Sequence, residues 1–393
     1  MHFQPQKLSP KEYFFSQPHQ PFFTLGIINA IVTMALFIPE YRGVFGYDAK
    51  LFHAFSMIFL VFTNFFFGFL YTTFPRFSGT APIEPRRYLL VFLFMALATL
   101  SFLTSPFFYP TIYAATFFVA IAFAMTLRTF YEIYRQCTLP KRDQYWIIVA
   151  LGIGAMSDLF FLFYSIPCGC DKQIVYEIAR NFGIYLYLIF LAFVVAFRMV
   201  PFFSHVMSWQ KNEKLHILFF ALMLLHSFTQ TTYPKALFLI DLAAALLIAR
   251  EIKAINFPKT SEPLLWVLHL ALYWLALGFF LSSAVEFFEA FFGWYSFALP
   301  LHLLVLGFLT TILIGFGTRV TLGYSGNMLR VDRMGVLIFY FTQIVVLGRI
   351  VFSLAASFGK VTPAFDISAT LWILLFVAWM VKYGNVLMFG KKL

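Results

Sequence analysis

The chain has 393 residues, of which 61% are hydrophobic and 11% charged, too few polar side chains to coat a water-soluble globule of that length. Its 28 lysines and arginines outnumber 17 acids for a net charge of +11, but they lie between apolar segments, where they orient a membrane protein and do not grip a polyanion. Composition thus argues against a soluble enzyme and against a nucleic-acid partner, and makes the lipid bilayer the solvent.

The first 20 residues are polar and lack the basic segment, short apolar core and small-residue cleavage site of a signal peptide, so this segment is expected to be retained. Twelve apolar stretches follow: 22–38, 51–74, 88–104, 108–127, 145–166, 181–200, 215–231, 235–252, 264–284, 297–318, 335–357 and 366–387. Each is near the length that crosses about 30 Å of hydrocarbon as a helix. The 56 phenylalanines belong to this pattern, since Phe partitions into hydrocarbon and packs between helices. The fold class expected is all-α, a polytopic transmembrane helical bundle of about twelve spans forming one domain over residues 1–393. No internal repeat is evident by eye.

Cations cluster in alternate loops. Arg76, Arg86 and Arg87 follow the second stretch, Arg128, Arg135, Lys141 and Arg142 the fourth, Lys211 and Lys214 the sixth, and the pattern continues to Lys391 and Lys392. The opposite loops hold few, among them Arg42, Lys50, Lys172, Arg180, Lys235 and Lys360. Because cytoplasmic loops retain Lys and Arg, both termini are expected in the cytoplasm, in agreement with Lys7 and Lys11 and an even span count.

Ionisable groups at membrane depth need a partner, a wet cavity or a cofactor, so their placement is informative. His53, Asp158, His226, Asp241, Glu286, Glu289, His302, Arg349 and Asp366 all fall towards the outer side of this topology. Imidazoles from several spans at one depth can converge on a metal or haem iron, which makes His53, His302 and His226 the candidate metal ligands. Each is equally readable as a helix-bridging polar group, and no His-x-x-x-His spacing marks a site. Arg198 and Arg319 stand near cytoplasmic span ends, where a guanidinium either snorkels to the interface or holds a propionate or phosphate. Cys168-Gly-Cys170 in an outer loop reads as a disulfide or an unremarkable pair before a metal site, and Cys137 as an inert thiol. No general acid and base pair, nucleophile elbow or phosphate loop is readable, so no catalytic residue is assigned.

Three stretches resemble the NnrS family, haem- and copper-containing multi-span bacterial membrane proteins associated with nitric oxide and nitrosative stress. Phe15-Ser-Gln-Pro-His-Gln-Pro-Phe-Phe23, Phe52-His-Ala-Phe-Ser-Met57 and Gly68-Phe-Leu-Tyr-Thr-Thr-Phe-Pro-Arg-Phe-Ser-Gly79 carry the first likeness. Arg198-Met-Val-Pro-Phe-Phe-Ser204 is the second, and His302, Gly307 and Arg319-Val-Thr-Leu-Gly-Tyr-Ser-Gly326 are the third. Phe55 and Ser56 stand where the family pattern has His and Glu, and Tyr324 where it has His. The resemblance implies a haem- and possibly copper-binding protein of the bacterial inner membrane. Its partner would be nitric oxide or a nitrosylated metal complex, and its cofactor would be held by His53, His302, His19, Arg198, Arg319 and Tyr324. The alternative is a multi-span transporter of a small anion or metal complex. A respiratory oxidase or nitric oxide reductase subunit fits less well, because the chain has no adjacent histidine pair.

Overall fold

The computed structural model describes residues 9–393 apart from 168, 170, 207, 208, 210, 213 and 360. Cys168, Cys170 and two of the topology-setting lysines, Lys7 and Lys360, lie outside the described residues. Among the described residues every regular element is a helix. A short α1 (Pro10–Phe14) opens the chain, closed by a capping box in which the Ser9 hydroxyl accepts the Glu12 N–H and the Glu12 carboxylate accepts the Ser9 N–H. Twelve long helices follow: α2 (His19–Tyr41), α3 (Ala49–Ser78), α4 (Pro85–Thr104), α5 (Thr111–Gln136), α6 (Arg142–Ser165) and α7 (Lys172–Phe203) form the first half. The second half is α8 (Leu215–Thr232), α9 (Leu237–Ile255), α10 (Pro263–Phe292), α11 (Leu299–Tyr324), α12 (Arg333–Ser357) and α13 (Val361–Phe389).

Eleven of these are long and apolar enough to cross a membrane; α9 is 19 residues long and carries Asp241, Arg250, Glu251 and Lys253. It nevertheless packs between α8 and α10 as one more member of the bundle. All twelve occupy the positions expected from the apolar stretches, so the polytopic helical bundle is the observed fold. Several run past the apolar core: α7 starts at Lys172 and not near 181, because Asp171 accepts the N–H groups of Gln173 and Ile174 and so caps a polar first turn.

Three helices form the centre. In α3, α7 and α11 respectively 94%, 78% and 78% of the apolar window is buried, against 33–56% for the other spans, and the three pack pairwise against one another. Each is interrupted by a π-helical stretch, Ser56–Phe62, Phe182–Ile189 and Leu303–Thr310. A π turn frees carbonyls from the α-helical pattern, and side chains take them up. Thr63 and Thr310 each donate to the carbonyl five residues back, Ile58 and Val305, and Asn29 of α2 donates to Leu60 at 2.8 Å.

The three helices also end alike. Gly79, His205 and Gly326 all adopt left-handed φ (65°, 55° and 64°), each 23 residues after the first π residue, Ser56, Phe182 and Leu303. One residue later the N–H of Thr80, Val206 and Asn327 bonds to the carbonyl of Pro75, Pro201 and Leu322, the Schellman closure. Phe77-Ser-Gly, Phe203-Ser-His and Tyr324-Ser-Gly are thus structurally equivalent. The chain is a threefold repeat of four-helix units, α2–α5, α6–α9 and α10–α13, with the second helix of each turned inward and α13 packed on α2. This repeat escapes inspection of the sequence because the shared signal is geometric and covers few identical residues.

His205 is the non-glycine member of the three caps and bears about 1 kcal/mol of left-handed strain. His205→Gly should therefore raise the thermal midpoint of the detergent-solubilised protein, whereas Gly79→Ala and Gly326→Ala should lower it; a fall on His205→Gly would contradict the shared cap.

Candidate functional site

Parallel packing of α3 and α11 sets their first turns side by side. It brings His53 and His302, far apart in sequence, to a ring-centroid distance of 6.2 Å with planes 12° apart. A single iron or copper ion could be held between the two rings by one nitrogen from each. His53 is stacked on Phe37 of α2 at 4.4 Å, and its buried Nδ1 has no hydrogen-bond partner. His302 Nδ1 lies 2.8 Å from the Ala298 carbonyl and 3.3 Å from the Arg349 guanidinium; in the tautomer that donates to the carbonyl, Nε2 keeps its lone pair for a ligand.

Sequence reading missed the third member, Arg349 of α12. It is 7% exposed, donates to the Phe297 carbonyl and the Ser353 hydroxyl, and lies 3.3 Å from His302 Nδ1. No carboxylate oxygen comes within 4.0 Å of it among the described residues. Phe297 and Ala298, whose carbonyls serve Arg349 and His302, are consecutive non-glycine residues with positive φ, 54° and 57°. Such backbone costs about 1–2 kcal/mol per residue and is retained where the surroundings fix it, here by the very contacts that aim the imidazole. The donor set fits a haem iron or copper ion, and the buried guanidinium fits an anionic group beside it.

The remaining expected cofactor residues lie at the opposite end of the bundle, on α2, α7 and α11. From His302 to Tyr324 is 22 residues along α11, about 33 Å at about 1.5 Å per residue, so one cofactor cannot touch both. There Arg198 of α7 lies over the Phe77 ring of α3 at 4.9 Å, Arg319 of α11 over Phe203 of α7 at 3.9 Å, and Arg76 of α3 over Tyr324 of α11 at 4.8 Å. The three aromatics are the equivalent residues of the repeat, so the cation–π pairs close a ring around the centre. Arg76, Arg198, Arg319 and Tyr324 line a cavity of about 760 Å³, with Phe69 and Phe316 among its apolar walls. That volume is within the roughly 300–1,000 Å³ of sites that take small organic ligands. His19 is buried, its ring 5.0 Å from that of Tyr324 and its Nδ1 without a partner.

The arginines are not equivalent. Arg198 donates to the Asp143 carboxylate at 2.8 Å and to the Phe77 carbonyl at 3.2 Å, and Asp143 also receives Lys211 at 2.9 Å. Burial holds the Lys211 ammonium below its usual range, opposed by Asp143. Arg76 and Arg319 have no such acid within 4.0 Å among the described residues. Arg198 is thus engaged in the fold, and the anion-binding capacity belongs to the other two. His226, the third expected metal ligand, makes no hydrogen bond or ring contact with His53 or His302; it pairs with Asp241 at 2.6 Å. Cys137 is a buried free thiol.

Asp143→Asn would leave a partly buried guanidinium and a buried ammonium without their counter-ion. Removal of one partner from a buried pair costs about 3–5 kcal/mol, and the quarter-exposed Arg198 reduces this to about 2 kcal/mol. A markedly lower thermal midpoint with α-helical circular dichroism intact is the expected result.

A family model described as NnrS protein matches residues 13–389. No curated protein matches the chain. With the match covering nearly its whole length, this chain belongs to the NnrS family.

Proposed function

We propose that this multi-span membrane protein holds a haem or copper ion through His53 and His302 and acts in the response to nitric oxide or nitrosative stress, in a bacterial inner membrane with both termini cytoplasmic. The observation that carries the metal reading is the near-parallel pair of imidazoles 6.2 Å apart on the two parallel inner helices. Iron or copper bound there would supply an electron-rich centre to which nitric oxide can attach. The protein's own part is positional. The Ala298 carbonyl orients the His302 ring, Phe37 covers one face of His53, and Arg349 offers a buried positive charge to a carboxylate or other anion at the site. The stress role rests on family membership.

The test is an optical spectrum of the detergent-purified protein, oxidised and reduced, with iron and copper analysis. Wild type should show a Soret band or bound copper that His53→Ala and His302→Ala abolish. Arg349→Gln, which keeps both imidazoles, should weaken binding by about 10–100-fold, the usual effect of removing a group that orients a ligand. Cofactor-free protein that is monodisperse and helical would sink this reading.

The arginine cavity favours a second reading, passage or binding of a small anion, because Arg76 and Arg319 face about 760 Å³ without an acid partner. Anion uptake into proteoliposomes that falls on Arg76→Ala and Arg319→Ala while the optical spectrum is unchanged would support it. Uptake equal to that of empty vesicles would remove it.

A further inference from the structure

We infer that His226, Asp241 and Glu286 form a second metal site, separate from the imidazole pair, that takes one divalent transition ion of the zinc or manganese class. The three residues come from α8, α9 and α10, and one ligand atom from each lies within 4.8 Å of the others. Burial is 0%, 0% and 5% exposed respectively, so water does not solvate them. His226 Nδ1 is 2.6 Å from Asp241 Oδ1, while His226 Nε2, Asp241 Oδ2 and Glu286 Oε2 are all buried without a hydrogen-bond partner.

Two carboxyls at membrane depth need either a shared proton, for which Asp241 and Glu286 are close enough to hydrogen-bond, or a compensating cation. Among the described residues no Lys or Arg nitrogen lies within 4.0 Å of either. Of the neighbouring charged groups, Arg180 donates twice to the Asn181 amide oxygen and makes no ion pair with either carboxyl, and Glu289 accepts from the Ser296 N–H and hydroxyl. A divalent cation neutralises both carboxylates at once and satisfies the orphaned oxygens. Its bonds of about 2.0–2.2 Å need donors about 3–4 Å apart, so the triad has only to contract by rotation of its side chains. One imidazole and two carboxylates, with no sulfur, suit zinc or manganese and do not suit copper(I).

The surroundings hold this geometry. The Tyr185 ring, in the π stretch of α7, lies 3.9 Å from the His226 ring, the Asn181 amide donates to Ser227 on α8, and the Ser283 hydroxyl donates to Phe238 on α9. The site therefore sits where the second four-helix unit meets the third. An ion there would tie α8, α9 and α10 together, including the helix too polar to count among the eleven apolar spans.

The experiment uses full-length protein and a His53→Ala/His302→Ala double variant, stripped with chelator and reloaded with zinc or manganese. Bound metal per chain and the thermal midpoint are then measured. One ion per chain is expected in both proteins, with a midpoint that falls on stripping and recovers on reloading. Retention in the double variant separates this site from the imidazole pair, so the two readings fail independently. His226→Gln, Asp241→Asn and Glu286→Gln should each weaken binding at least tenfold, size-exclusion profiles reporting whether each folds. Folded wild type that retains no ion, or unchanged stoichiometry in all three variants, overturns the proposal. So does an infrared band of a protonated carboxyl that disappears in Glu286→Gln and does not respond to zinc, because a shared proton would then supply the compensation.

Discussion

The contact on which the rest of the molecule depends is the mutual packing of α3, α7 and α11, in which the π-helical stretch of α7 lies against those of α3 and α11. An extra residue in a helical turn rotates everything after it, so the same interruption at the same depth in three helices keeps their far ends in one register. Gly183 shows how close the approach is: a Cβ there would meet Ile58 and Ser157 at 2.8 Å. In hydrocarbon the apolar side chains gain little from leaving lipid, and tight packing plus interhelical hydrogen bonds supply the specificity. Thr63 against Tyr187 and Trp379 against Thr318 are bonds of that kind, and both anchor an inner helix.

A symmetric frame does not make symmetric sites. At the cap end the three aromatic rings are equivalent and each carries an arginine in one rotational sense, Arg198 and Arg319 from the same repeat position and Arg76 from one four residues later. At the other end it is broken: the repeat position that holds His302 in α11 holds Phe55 in α3 and Asn181 in α7, and His53 lies two residues before that position. The imidazole pair is thus a local departure built on a repeated scaffold, reinforced by the strained Phe297–Ala298 link and by Arg349 from outside the trio. Chemistry at that end is paired, and at the cap end it is circular.

What the sequence disclosed follows the same division. Span number and order were legible because burial in lipid imposes a long apolar run on each helix, whatever its partners. That His53 and His302 share one side followed from both lying near the start of even-numbered spans. Their adjacency did not, since helix neighbours depend on packing between surfaces that hydropathy does not distinguish. Arg349 was visible as a charge at membrane depth but gave no sign of its imidazole partner 47 residues earlier. Arg198 looked available for a cofactor because Asp143, which takes its charge, reads in sequence as one more polar residue at the start of a span. The threefold repeat was hidden for a related reason: caps and π turns constrain backbone geometry at a few positions and leave most side chains free to diverge.

Two sets of buried ionisable groups at the end opposite the caps differ in kind, beside the further buried acids Asp158 and Glu40. Arg349 is a cation with carbonyl and hydroxyl partners but no acid, while Asp241 and Glu286 are acids with an imidazole but no cation. Were the two groups in contact they would neutralise each other and neither would require a ligand. The fold keeps them apart, the arginine on α12 beside the α3–α11 pair and the acids on α9 and α10. Neither set makes an ion pair with a Lys, Arg, Asp or Glu of opposite charge among the described residues. A positive pocket beside two imidazoles suits a metal that carries an anionic group, and a negative one with a single imidazole suits a bare divalent ion. Separation of opposite charges in a medium where each is expensive is the physical argument for two ligands of different character at this end of the bundle.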